Sequence, residues 1–117
     1  MVLVDTSVWI AHLRERQTAL AELLGDGQVF MHPCVTGELA CGNLRKRADV
    51  LADLTALPAA ITASDLEVMR LIEGRRLWGR GLGWIDAHLL ASALLSHCRL
   101  WTLDKRLGAA ATEVGVD

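Results

Sequence analysis

Val2-Leu3-Val4-Asp5-Thr6-Ser7-Val8-Trp9-Ile10 carries the reading of the whole chain. Three consecutive apolar residues, two of them β-branched, are what a strand buried on both faces requires. Asp5-Thr6-Ser7 then supplies helix N-cap chemistry, and Val8 to Leu13 reads as helix. The same change from apolar run to capped helix recurs downstream. Val29-Phe30-Met31-His32 reads as a second strand, followed by Pro33 at a first helical position and a helix over Cys34 to Asn43. Leu100-Trp101-Thr102-Leu103 reads as a strand that runs into a helix over Asp104 to Ala111. Between them, helices are predicted over Thr18 to Leu24, Arg45 to Leu57, Leu66 to Leu77 and Trp84 to Cys98. Ser64 with Glu67 three residues on forms a capping-box pattern. Ala60-Ile61-Thr62 is predicted as a short third strand and Val114-Gly115-Val116 as a truncated edge strand. Gly79 to Gly83 is a flexible loop. Strands alternating with helices argue an α/β fold: a short central parallel sheet flanked by helices, in one domain over 1–117.

Composition agrees. The chain has 117 residues, enough to bury a core without disulfides or structural metal. Apolar residues make up 52% and charged residues 22%, which excludes a mainly disordered chain. Leu and Ala supply 37 residues against 13 Val plus Ile, a helix-rich balance. The mean hydropathy of +0.31 is high for a small soluble monomer and points to apolar surface set against a partner. Three cysteines have no framework spacing, so a reducing, cytoplasmic setting is expected, with the thiols small and buried. The opening residues lack the basic segment of a signal peptide, and no apolar run reaches membrane-spanning length.

The chemistry lies in the carboxylates. In a parallel sheet, ligands gather at the carboxyl ends of the strands. Asp5 and Asp104 directly follow strands, and Glu38 lies early in the helix after the second one. A helix leading into a parallel strand starts at that same edge, which brings in Asp86. Four carboxylates, 33, 48 and 18 residues apart, are therefore expected at one edge. Asp86 interrupts the core-like Trp84-Ile85-Asp86-Ala87-His88-Leu89-Leu90, and Glu38 sits among Cys34, Val35, Leu39, Ala40 and Cys41. Buried carboxylates are rare unless paired or metal-bound, and neither neighbourhood offers a cation. Two carboxylates ~5 Å apart repel by about 3 kcal/mol at an effective dielectric near 20. Hard oxygen ligands in such number suit Mg²⁺ or Mn²⁺. Each residue also has a plainer reading: Asp5 and Asp104 as helix caps, Asp86 as a complement to its own helix dipole, Glu38 as half-exposed.

These segments together resemble the PIN domain of VapC-type toxins from bacterial toxin–antitoxin pairs. The matching residues are Val2 to Ile10, Glu38, Gly83-Trp84-Ile85-Asp86-Ala87-His88-Leu89-Leu90-Ala91 and Thr102-Leu103-Asp104-Lys105-Arg106-Leu107. The resemblance implies a PIN-like three-layer fold and a Mg²⁺-dependent endoribonuclease, with Mn²⁺ as a substitute. Asp5, Glu38, Asp86 and Asp104 would be its catalytic and metal-binding set. It further implies an RNA substrate, a cognate antitoxin that covers the acidic groove, and a homodimer. Thr6, Ser7, Thr102 and Arg80 are candidates to support the metal shell or touch phosphate, with helix capping the plainer role for Ser7.

Arg45-Lys46-Arg47 and Arg75-Arg76 with Arg80 are the basic clusters, read either as phosphate contacts or as solvated helix faces. With the four site carboxylates set aside, 10 acidic residues face 12 basic ones. Trp78 and Trp84 read as core or interface anchors, with base stacking as a lesser role. Two other functions compete: a catalytically silent interaction module of PIN-like fold, and a metal-dependent phosphatase built on Asp5. The second lacks an aspartate two residues after Asp5, and the first has no need of four crowded acids.

Overall fold

The computed structural model describes residues 1–117. Three strands form one parallel sheet in the order β2-β1-β3, with β1 Val2–Val4, β2 Val29–Phe30 and β3 Arg99–Trp101. Val2 aligns with Val29 and Arg99, and Leu3 with Phe30 and Leu100. β1 is central and buried along its whole length, which is why it contains no polar residue. Seven helices complete the fold: α1 Thr6–Arg14, α2 Thr18–Gly25, α3 Pro33–Cys41, α4 Arg47–Thr55, α5 Asp65–Arg75, α6 Trp84–Leu95 and α7 Lys105–Val114.

The main core joins the sheet to these helices through Leu3, Val4, Leu20, Leu89, Leu90 and Leu107. Each fully buried leucine contributes roughly 2 kcal/mol over its exposed state. A smaller cluster of Ala63, Val68, Ala87 and Ala91 packs α5 on α6. The capping box at α5 forms as the sequence indicates. Ser64 Oγ accepts from the Glu67 N–H at 3.1 Å, and Glu67 Oε1 accepts from the Ser64 N–H at 2.9 Å. These bonds hold the Glu67 carboxyl below the usual range.

Several boundaries differ from the sequence reading. The strand expected at Ala60–Thr62 is a single parallel bridge between Met31 and Ala59. Val114–Val116 forms no strand, because Val114 ends α7 and only the Val116 carbonyl reaches the sheet, accepting from the Leu100 N–H at 2.6 Å. α4 starts at Arg47 because Lys46 turns left-handed at φ 49°. α6 stops at Leu95, with Ser96 as its cap and His97 left-handed at φ 50°. β3 ends at Trp101, leaving Leu103 exposed beyond it. Cys41 is exposed and Cys34 half-buried, so only Cys98 matches the buried thiol expected of all three.

Because all three strands are parallel, their carboxyl ends share one edge of the sheet. α6 returns to feed β3, so its first turn lies at that edge too.

Candidate active site

Asp5 ends β1, and its backbone N–H donates to the Trp101 carbonyl of β3 at 2.9 Å. That bond sets Asp5 beside the residues that follow β3. Asp5 is only 7% exposed. Its Oδ2 accepts from Ser7 Oγ at 2.7 Å, from Thr102 Oγ1 at 2.7 Å and from the Ser7 N–H at 3.4 Å. The same hydroxyls reach onward: Ser7 Oγ accepts from the Leu103 N–H and Thr102 Oγ1 from the Asp104 N–H, each at 3.0 Å. Two side chains thus tie the end of β1 to the turn after β3. Asp5 is the cap of α1, and Ser7 bridges to that turn instead of capping. Thr102 lies past the end of β3, and its link to Asp104 is a tight turn.

Asp104 caps α7, its Oδ1 accepting from the N–H groups of Arg106 at 2.9 Å and Leu107 at 3.0 Å. Asp86 sits in the first turn of α6, where its Oδ2 accepts from the Gly83 N–H at 2.9 Å. Burial pushes the Asp86 carboxyl above its usual range, against the Gly83 bond, and the negative charges of Asp5 and Asp104 add to the rise. Those charges identify the three acids as one electrostatic neighbourhood. Glu38 joins from α3, where its Oε1 accepts from Thr6 Oγ1 at 2.8 Å.

Asp86 is half-buried, while Glu38 and Asp104 are exposed. Glu38 is not enclosed by its apolar neighbours, because Val35 and Leu39 turn into the core and leave it on the outer face of α3. It borders an open groove of about 530 Å³ between α1, α3 and α4, which Arg14 and Arg45 also line.

In each of the four acids one oxygen is held by donors of the chain and the other accepts no protein hydrogen bond. Oriented carboxylates with a free oxygen are suitable donors for a hard divalent ion. No three His, Cys, Asp or Glu side chains stand close enough together to hold a metal ion between them as they are placed. An open acidic edge of this kind fits an ion that keeps part of its water shell, as Mg²⁺ does.

Arg80 is directed elsewhere: its guanidinium pairs with Glu113 near the end of α7, at 2.5 Å. Arg106 donates its backbone N–H to Asp104 Oδ1 at 2.9 Å. It is two residues past Asp104 and packs over the Gly81 backbone, where a Cβ would come within 2.6 Å of its Cδ. Gly81 has φ +78°, which favours glycine, and a side chain there would push the flexible end of Arg106 aside. The spacing of Arg106 from the Asp104 cap was the available signal.

The PIN domain family matches residues 2–113. Ribonuclease VapC32 of Mycobacterium tuberculosis, in strains CDC 1551 and H37Rv, is 54% identical over 120 residues, covering 99% of this chain and 94% of the relative. A family match along nearly the full length, with the sheet and acidic edge above, leaves one assignment: the chain belongs to the PIN domain family.

Proposed function

We propose that this protein is a metal-dependent endoribonuclease, the toxin of a toxin–antitoxin pair. The observation that carries the reading is the set of four carboxylates at the sheet edge, each oriented through one oxygen and open at the other. Asp5, Glu38, Asp86 and Asp104 are assigned as ligands of Mg²⁺, for which Mn²⁺ substitutes. When bound, the ion lowers the pKa of a coordinated water and offsets charge on the phosphate and the leaving oxygen.

The chain's own residues do the rest. Ser7 and Thr102 fix the Asp5 carboxylate through Oδ2 and leave Oδ1 without a protein donor. Thr6 fixes Glu38, and the Gly83 N–H fixes Asp86. Arg106, two residues past Asp104, is assigned as the cation for a phosphate oxygen in place of Arg80, whose charge is taken by Glu113. The groove beside Glu38, with Arg14 and Arg45 at its margin, is the place for an antitoxin segment. A second copy of the chain accounts for part of the exposed apolar surface at Ile61, Leu66 and Met69. No helix is long and apolar enough to cross a membrane.

RNA cleavage by the purified protein tests the enzyme reading. Cleavage is expected in millimolar Mg²⁺ or Mn²⁺, absent in EDTA, and restored by excess metal. Cleavage that is indifferent to EDTA overturns the metal assignment. Production of the chain alone should arrest growth of its host, with relief by the cognate antitoxin; a folded, abundant and harmless protein overturns the toxin role.

A further inference from the structure

Trp78 and Trp84 are 58% and 45% exposed, unusual for the largest apolar side chains. Both line one cavity of about 280 Å³, whose walls are otherwise aliphatic side chains such as Leu77 and Leu82 and the backbone of Gly79 and Gly83. Trp84 is braced edge-on by the buried His88, with ring centroids 4.8 Å apart and planes at 84°. His88 in turn meets Asp65 at 3.3 Å. The Trp84 ring is therefore held in place before any ligand arrives.

The cavity meets the acidic edge at one residue, Gly83. Gly83 lines it, and the Gly83 N–H donates to Asp86 Oδ2 at 2.9 Å. Trp84 and Asp86 leave the first turn of α6 on different sides, with the Gly83 backbone between the cavity and the carboxylate. A ligand part in the cavity and a phosphate at Asp86 would lie on either side of Gly83.

We infer that the Trp78–Trp84 cavity is a stacking subsite for a nucleobase next to the RNA bond that is cut. This rests on the ribonuclease reading above. The walls offer indole and aliphatic carbon and almost no polar group. The planar, unpaired base is the part of a single-stranded RNA that gains by burial against such surface. The cavity of about 280 Å³ has room for one planar ring system. Recognition here is by stacking, so it selects an unpaired base without reading its hydrogen-bonding edge.

The test uses the Asp5→Asn chain with short single-stranded RNA in Mg²⁺, followed by tryptophan fluorescence. Binding should quench emission, and an abasic site at one position should relieve the quench. In that background Trp78→Ala and Trp84→Ala should each weaken binding about tenfold, while Trp84→Phe keeps most of it and controls for folding. With Asp5 intact, the alanine variants should raise KM more than they lower kcat. Unchanged RNA affinity and KM in Trp78→Ala and Trp84→Ala, above all with altered sedimentation, overturns the subsite and makes the cavity a protein interface. RNA that fails to quench the Asp5→Asn chain overturns it as well. Quenching by RNA in a wild-type protein that never cleaves would instead sink the ribonuclease reading and leave the subsite standing.

Discussion

The turn from β1 into α1 and the turn from β2 into α3 have the same construction and opposite chemistry. Asp5 and His32 are both extended, both buried, and both cap the helix that follows. Asp5 accepts from the Ser7 N–H, and His32 Nδ1 accepts from the Cys34 N–H at 3.0 Å. The neighbours differ. Hydroxyls of Ser7 and Thr102 converge on one Asp5 oxygen and leave the other open. His32 meets the His88 ring, and its Nε2 has no partner. Burial, helped by the positive charge that His88 can carry, pushes the His32 pKa down. The cap solves the same backbone problem in both turns. Function depends on what a distant element brings beside it, here the turn after β3.

Asp5→Asn breaks that contrast most sharply, because asparagine keeps the cap and removes the charge. Cleavage is expected to fall about a thousandfold, the equivalent of about 4 kcal/mol in the barrier, with folding intact by circular dichroism. Thr102→Val tests the distant element itself. It removes one hydroxyl from Asp5 and one acceptor from the Asp104 N–H, and should lower activity or metal affinity by about 10–100-fold.

The structural cap is addressed through pH. The His32 pKa lies below its usual 6.5 in the folded state. Its contribution to stability is therefore present above about 6.5 and is lost as pH falls from there through the depressed folded value. Denaturant melts of wild type should lose stability over that range, and His32→Asn, which keeps an acceptor for the Cys34 N–H, should show a shallower slope. An unchanged slope would place the acid sensitivity elsewhere. Gly81→Ala is expected to have the smallest effect, about 1 kcal/mol from the left-handed φ, with displacement of Arg106. Urea denaturation measures the first, and a weaker salt dependence of RNA binding reports the second.

Much of this was legible in the residues. Val2 to Val4 is apolar without interruption because both faces of β1 are covered, and Asp5, Ser64 and Pro33 mark helix starts by chemistry that acts within a few residues. The four acids were legible because parallel strands and a returning helix bring their ends to one edge. Non-local contacts were not legible. Arg80 carries no sign that Glu113, 33 residues away, will take its charge. Thr6 does not announce Glu38 across 32 residues. Ala60–Thr62 has strand-like composition, but only Ala59 finds a neighbour to pair with. The exposure of Glu38 follows from helix phase, since Leu39 occupies the inward position beside it.

Thermal melting of wild type and Asp86→Asn at pH 7, in EDTA and in millimolar Mn²⁺, tests the acidic edge most directly. The Asp86 carboxyl is raised chiefly by burial and then by the charges of Asp5 and Asp104. Stability from such a group is present below its unfolded pKa and is lost as pH rises through the folded value, so at pH 7 the charge is a cost. Asparagine removes that cost and can still accept from the Gly83 N–H. In EDTA, Asp86→Asn should be the more stable protein by about 1 kcal/mol, a repulsion reduced by solvent screening. In Mn²⁺ the order should reverse, because wild type gains the larger ligand-linked stabilisation, about 2.7 kcal/mol at a hundred times Kd. A variant less stable than wild type in EDTA, with Mn²⁺ shifting both equally, would make Asp86 a helix cap and contradict the metal site.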